Sequence, residues 1–254
     1  MDFENLKTPE IINNWIKDNT KGKIDRIIET LDLDSVMVLL NAIYFQGNWQ
    51  EEFDDICTVD QPFYLSNGIE KQHPTMLKSS QYSYYENQTF QAISLPYGEG
   101  SVSMYVFLPK EEIGLEKFYQ TLNEENWENW MLKFESQTVT LSLPKFKNEY
   151  ELTLNDILKT LAMEIAFDRK AADFSGMRSI PPKLYIDEIK HKTFVEVNET
   201  GTEATAATDI VMPVALSMMT SLVDMSVNRP FFFAIRDNNS GTILFMGEIT
   251  NPEN

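Results

Sequence analysis

Residues 199–229 read ETGTEATAATDIVMPVALSMMTSLVDMSVNR, and this stretch decides the fold because it fits neither a packed helix nor an ordinary connection. A loop of that length inside a compact domain is generally functional or disordered. Read as extended chain, Thr202, Ala204, Ala206, Thr208, Ile210 and Met212 share one face, while Glu203, Thr205, Ala207, Asp209 and Val211 share the other. One face is uncharged, the other carries both acids, and no proline interrupts before Pro213. The pattern suits a strand able to enter a sheet with one face buried, and it equally suits an edge strand or an Ala/Thr-rich linker.

Working outward, strands are expected at 184–189 and 193–198 on the near side, and at 231–235 and 243–249 beyond it. Ser35 to Phe45 is almost continuously apolar, as for a strand covered on both faces. Thr8 and Pro9 open a helix near 8–18 with Ile11, Ile12, Trp15 and Ile16 on one stripe. Residues 53–108 read as short strands separated by Ser66-Asn67-Gly68 and Pro96-Tyr97-Gly98, with His73 beside Pro74 as a turn residue. Two short amphipathic helices follow, Leu115 to Leu122 and Trp127 to Phe134, with Asn123 as a cap between them. Val139, Leu141 and Leu143 alternate with Thr138, Thr140 and Ser142 until Pro144 stops the strand. A capped helix is predicted from Thr153 through Ile165. Helices mixed with largely antiparallel strands indicate an α+β fold with more than one sheet.

Composition narrows function. Acidic residues outnumber basic ones by 39 to 21, a formal charge of −18, and no basic patch interrupts the field that would repel nucleic acid. The longest apolar stretches, 35–49 and 210–223, are too short to span a bilayer, so no membrane partner is expected, and the first residues lack the pattern of a signal peptide. Two histidines, one cysteine (Cys57) and no G-x-S-x-G elbow leave hydrolase and metalloenzyme constellations without their parts. Neither a cofactor nor a metal is expected, and the single thiol leaves the compartment, extracellular or cytoplasmic, open.

The run Asn198-Glu-Thr-Gly-Thr-Glu-Ala-Thr-Ala-Ala-Thr208 resembles the hinge of the serpin family, protease inhibitors that insert a reactive loop into their own sheet. Further family motifs stand in order: Asn41-Ala-Ile-Tyr-Phe-Gln-Gly-Asn-Trp49, Leu143-Pro-Lys-Phe146, Asp173-Phe-Ser-Gly176, His191-Lys-Thr-Phe-Val-Glu-Val197, Asn228-Arg-Pro-Phe-Phe-Phe233 and Leu244-Phe-Met-Gly247 with Asn251-Pro252. The resemblance implies a single serpin-like domain over 1–254, a reactive loop at about 199–229, and a suicide-substrate inhibitor of serine-type or cysteine-type endopeptidases. It implies a hinge of Glu199, Gly201, Thr202, Glu203, Ala204, Thr205, Ala206, Ala207 and Thr208, a latch of Asn41 and His191 where the sheet opens between 35–47 and 184–198, and an ion pair of Lys145 with Glu199 near Trp49. Inserting about 15 residues at about 3.3 Å each would carry an attached protease roughly 50 Å.

Family spacing from the hinge puts the scissile bond at Ala215-Leu216, whereas counting back from Pro230 gives Met219-Thr220. Pro213 favours the former, because cleavage after Met219 would place a residue without an N–H well inside a central strand. A small residue at 215, and no Lys or Arg between 201 and 228, point to an elastase-like or subtilisin-like target rather than a trypsin-like one. A non-inhibitory serpin is the alternative, as carrier, storage protein or chaperone, but Ala, Thr, Ala, Ala at 204–207 pose little steric barrier to insertion. A monomer at risk of loop-sheet polymers is expected. The resemblance further implies a helical part ahead of residue 8 that would cover 35–45 and 184–198, making an inactive fragment another reading. Uncovered, that apolar face should make the chain poorly soluble. A monodisperse, cooperatively melting monomer on gel filtration and calorimetry would refute that expectation.

Overall fold

Periodicity accounts for most of the observed elements, and burial for where they depart from it. The computed structural model describes residues 5–32, 34–177, 183–202 and 223–253. In chain order the elements begin with α1 (Thr8–Asn19), β1 (Val38–Tyr44), β2 (Gly47–Asn48), β3 (Thr58–Tyr64), β4 (Glu70–Glu86), β5 (Phe90–Tyr97) and β6 (Val102–Pro109). Next come α2 (Gly114–Thr121), α3 (Glu124–Met131), β7 (Glu135–Pro144), β8 (Phe146–Thr153), α4 (Asn155–Leu158) and α5 (Glu164–Phe167). The chain ends with β9 (Glu188–Asn198), β10 (Gly201–Thr202), β11 (Val223–Ser226), β12 (Phe231–Asp237) and β13 (Ile243–Ile249). Two compact units result, one of residues 1–45 with 149–195, the other of 46–148 with 196–254.

In the first unit, β1 runs parallel to β9 from the pair Val38 and Glu188 to the pair Tyr44 and Phe194. Ile12 and Ile16 of α1 join Ile24, Ile27, Ile28 and Phe194 in a buried cluster against Val38, Leu40, Ala42 and Tyr44. Ile11 and Trp15, predicted on the same stripe, are exposed. They sit about 100° round the helix from Ile12 and Ile16, and the contact is one residue wide. Thr8 is the first helical residue and Lys7 holds the cap position. β1 is covered on one face only. Leu39 and Asn41 alternate away from the cluster and are exposed, so the expectation of a strand buried on both sides is not met: among the described residues, cover comes from the isoleucine side. The two strands predicted across 184–198 are one, β9, since pairing with β1 continues unbroken past His191. The helix predicted from Thr153 to Ile165 is broken into α4 and α5, with Ala162 at φ +68° between them. Its apolar stripe, Ile157, Leu161 and Ile165, lies exposed, and without tertiary packing a short helix has little to hold it together.

The second unit is built on β4, whose 17 residues contradict the expectation of short strands in this region. It pairs antiparallel with β3, β5 and β7, and the sheet continues in the order β11-β7-β4-β5-β6-β12-β13. Asn123 caps α3 as predicted, its Oδ1 accepting from the Asn126 amide at 2.9 Å. α2 and α3 deliver Phe118 and Trp130 to Phe90, Phe107 and Phe232, with Phe90 and Trp130 edge to face at 4.8 Å. Val139, Leu141 and Leu143 are fully buried, as their alternation requires. The stretch expected to be loop as far as 229 ends sooner: Val223–Ser226 pairs in parallel with Val139 to Ser142, because Met225 has a buried site beside Leu141.

Phe107→Ala should lower stability by about 3–5 kcal/mol, since its ring meets Phe90, Phe118 and Trp130 in a cluster unable to close over the void. Urea unfolding measures this, and a loss under about 1 kcal/mol would contradict the packing described.

Candidate functional site: a clamp at the loop entry

The last described residues before 203 are held with unusual thoroughness, entirely within the second unit. β9 ends at Asn198, whose Oδ1 accepts from the Thr200 amide, the Thr200 hydroxyl and the Gly201 amide at 3.1, 2.9 and 3.2 Å. That Asx turn reverses the chain so that Gly201 and Thr202, as β10, return antiparallel along Asn198 and Val197 while pairing with Asn48 and Gly47 of β2 on the other side. The approach is close. Gly201 has φ +147°, and a Cβ there would stand 2.2 Å from the Gly47 carbonyl oxygen and 2.7 Å from Asn48 Cα. Only glycine satisfies both the dihedral and the distance.

Trp49 closes one side. Its backbone N–H donates to Thr200 O and its indole Nε1 to Asn198 O, both at 2.9 Å. Its ring stacks on Tyr97 at 4.4 Å and meets Phe53 edge-on at 6.4 Å. The Tyr97 hydroxyl lies 2.6 Å from Thr202 Oγ1, and Thr202 is fully buried. Burial pushes the Tyr97 phenol far up, with the Thr202 bond opposing, so it stays protonated and able to donate.

Glu199 anchors the other side. Its carboxylate accepts from Lys145 Nζ at 2.9 and 3.1 Å and from Thr58 Oγ1 at 2.7 Å, while its carbonyl accepts from the Phe53 amide at 2.8 Å. The Glu199 side chain is 10% exposed and that of Lys145 32%, so this is not the exposed pair that contributes little. Burial raises the Glu199 pKa, but the bonds from Lys145 and Thr58 outweigh it and hold the carboxyl below its ordinary range. Nothing in this cluster is a nucleophile with a base beside it. What it does in the structure is hold Gly201 and Thr202 in place.

Of the residues singled out from sequence, the structure brings Glu199, Gly201, Thr202, Trp49 and Lys145 together. Asn41 and His191 face each other across the β1–β9 register in the first unit, and no side-chain hydrogen bond joins them. Glu203, Ala204, Thr205, Ala206, Ala207 and Thr208, together with Ala215, Leu216, Met219 and Thr220, lie outside the described residues. Sequence reasoning missed Tyr97, Phe53 and Thr58, and read Asn198-Glu-Thr200 as the start of the hinge run without the Asx turn that Asn198 makes. It also misplaced His73, which is no turn residue but lies in β4, 2% exposed, with its ring against the main-chain oxygen of Lys145.

The family model described as Serpin (serine protease inhibitor) matches residues 1–252. Human leukocyte elastase inhibitor is 37% identical over 95% of this chain and 65% of its own length, and Serpin-Z7 of Hordeum vulgare is 36% identical over 99% and 65%. The chain thus spans about 65% of the length of these curated relatives. Among solved structures, the thermophilic serpin tengpin in its native state superposes with a TM-score of 0.87 at 32% identity, covering 97% of this chain and 64% of that one.

Two outcomes follow from the geometry. Gly201→Ala should drive β10 off β2, seen as lost hydrogen-exchange protection at the Gly201 and Trp49 amides; retained protection would mean the close approach is not required. Because the folded Glu199 pKa is depressed, its contribution is full above the ordinary value of 4.5 and is lost as pH falls through the folded value. Glu199→Gln should therefore cost about 1.5–3 kcal/mol at pH 7, with a deficit that shrinks on acidification below 4.5. Melting curves across that range would show it, and a pH-independent deficit would count against the ion pair.

Proposed function

The chain belongs to the serpin family, and on that premise we propose that it acts as a suicide-substrate inhibitor of serine-type endopeptidases, with elastase-like or subtilisin-like enzymes as targets. The observation that carries this reading is the clamp: Gly201 and Thr202 stand paired on both sides at the head of a segment whose next positions, 204–207, are Ala, Thr, Ala and Ala. A protease attacking the Ala215 carbonyl forms an acyl ester with Ala215 and releases the Leu216 amine. The freed segment, anchored only at the clamp, then adds to the sheet as a strand, driven by new backbone hydrogen bonds and burial of its uncharged face. The line that parts runs between β1 and β9, where Asn41 and His191 are polar neighbours in the register and would latch the sheet only through a bond formed as it opens. Small side chains at 204–207 lower the barrier to entry, and the relative named for elastase inhibition supports the target class.

The test is incubation with pancreatic elastase followed by denaturing electrophoresis. A covalent complex surviving detergent, with the new C-terminus at Ala215 by mass spectrometry, is the expected result, and cleavage without complex would assign substrate behaviour instead. Glu199→Lys, which places two ammonium groups together at the clamp, should increase polymer after mild heating; unchanged monomer content on native gels would count against the clamp as the restraint on the loop.

A further inference from the structure

His73 is one of two histidines in the chain. Its Nε2 lies 2.6 Å from the main-chain oxygen of Lys145, and since a carbonyl only accepts, that nitrogen carries the proton. The next residue, Pro74, offers its own carbonyl to the Lys145 amide at 3.0 Å. Lys145 is the sole residue between Pro144, the last of β7, and Phe146, the first of β8. Residues 73 and 74 therefore grip both main-chain polar groups of the one residue whose side chain reaches to Glu199. We infer that His73 is a positioning residue for the Lys145–Glu199 pair, and that through it the hold on the loop entry responds to mildly acid pH.

The charged groups facing the ring are Lys71 on its own strand, Asp60 on β3 and Lys145 on the link. Burial is the largest influence and lowers the His73 pKa, the two lysines add to it, and the Lys145 carbonyl and Asp60 oppose it. With the folded pKa depressed, stability is complete above the ordinary value of 6.5 and declines as pH falls below it towards the folded value. The decline from His73 begins below 6.5 and that from Glu199 only below 4.5, so on acidification the histidine acts first.

The experiment is hydrogen exchange on the full chain at low concentration, corrected for intrinsic rates, following the Trp49 and Phe53 amides that donate to Thr200 and Glu199. Wild type, His73→Gln and His73→Leu are compared at pH 7.5 and 5.5, each also in a Lys145→Met background. Wild type should lose protection by up to about tenfold, the ceiling set by one pH unit below an ordinary histidine pKa. His73→Gln, whose amide can donate to the same carbonyl without titrating, should keep its protection, and His73→Leu should be weaker at both values. In the Lys145→Met background the three should coincide. A glutamine variant with the wild-type pH profile, or an undiminished leucine effect without Lys145, would overturn the proposal. Amide protection reports on the clamp whether or not the chain traps a protease.

Discussion

Two backbones meet at Gly47 and Gly201 more closely than any side chain would permit, and the rest of the clamp is arranged around that approach. With no Cβ at 201, β10 can slip between β2 and the end of β9 and make ladder bonds on both flanks. Asn198 supplies the reversal that brings it there, and Trp49, immediately after β2, is thereby placed to bond Asn198 and Thr200. Each of these contacts is individually worth about 1 kcal/mol. Together they confine Gly201 and Thr202 to a single register.

The electrostatic part of the site follows the same logic. A carboxylate as buried as that of Glu199 is tolerable only if its lone pairs are satisfied, and Lys145 on the β7–β8 link and Thr58 on β3 do this together. Removing one partner leaves the other charge stranded, so the pair matters less for net stability than for what happens when it is broken. The aromatic layer of the second unit plays a different part. Phe90, Phe107, Phe118, Trp130 and Phe232 bury large area with few polar groups, giving β5, β6 and β12 a rigid backing, and β5 carries Tyr97 to the clamp.

Where reading the sequence went astray, the cause was environment. Ile11 and Trp15 are as apolar as Ile12 and Ile16, yet the contact on α1 is too narrow to bury both pairs. The segment 153–165 has helical spacing, but with its stripe exposed the backbone takes a positive φ at Ala162 and the helix breaks. His73 next to a proline looks like punctuation in one dimension; in three it sits in a continuous strand because the Lys145 carbonyl needs a donor there. Tyr97, flanked by Pro96 and Gly98, was hidden for the same reason.

Local rules were therefore enough for the alternation of β7, the capped pair of helices around Asn123 and the terminal strands, since each depends on neighbours a few residues apart. The ordered motifs also carried the family and the pairing of Lys145 with Glu199. What tertiary structure alone decided was which partners lie across large sequence separations: Tyr97 on Thr202, Thr58 on Glu199, His73 on Lys145. A hydrogen bond or a van der Waals gap is set by distance in space, and chain folding brings together residues between which no sequence periodicity runs.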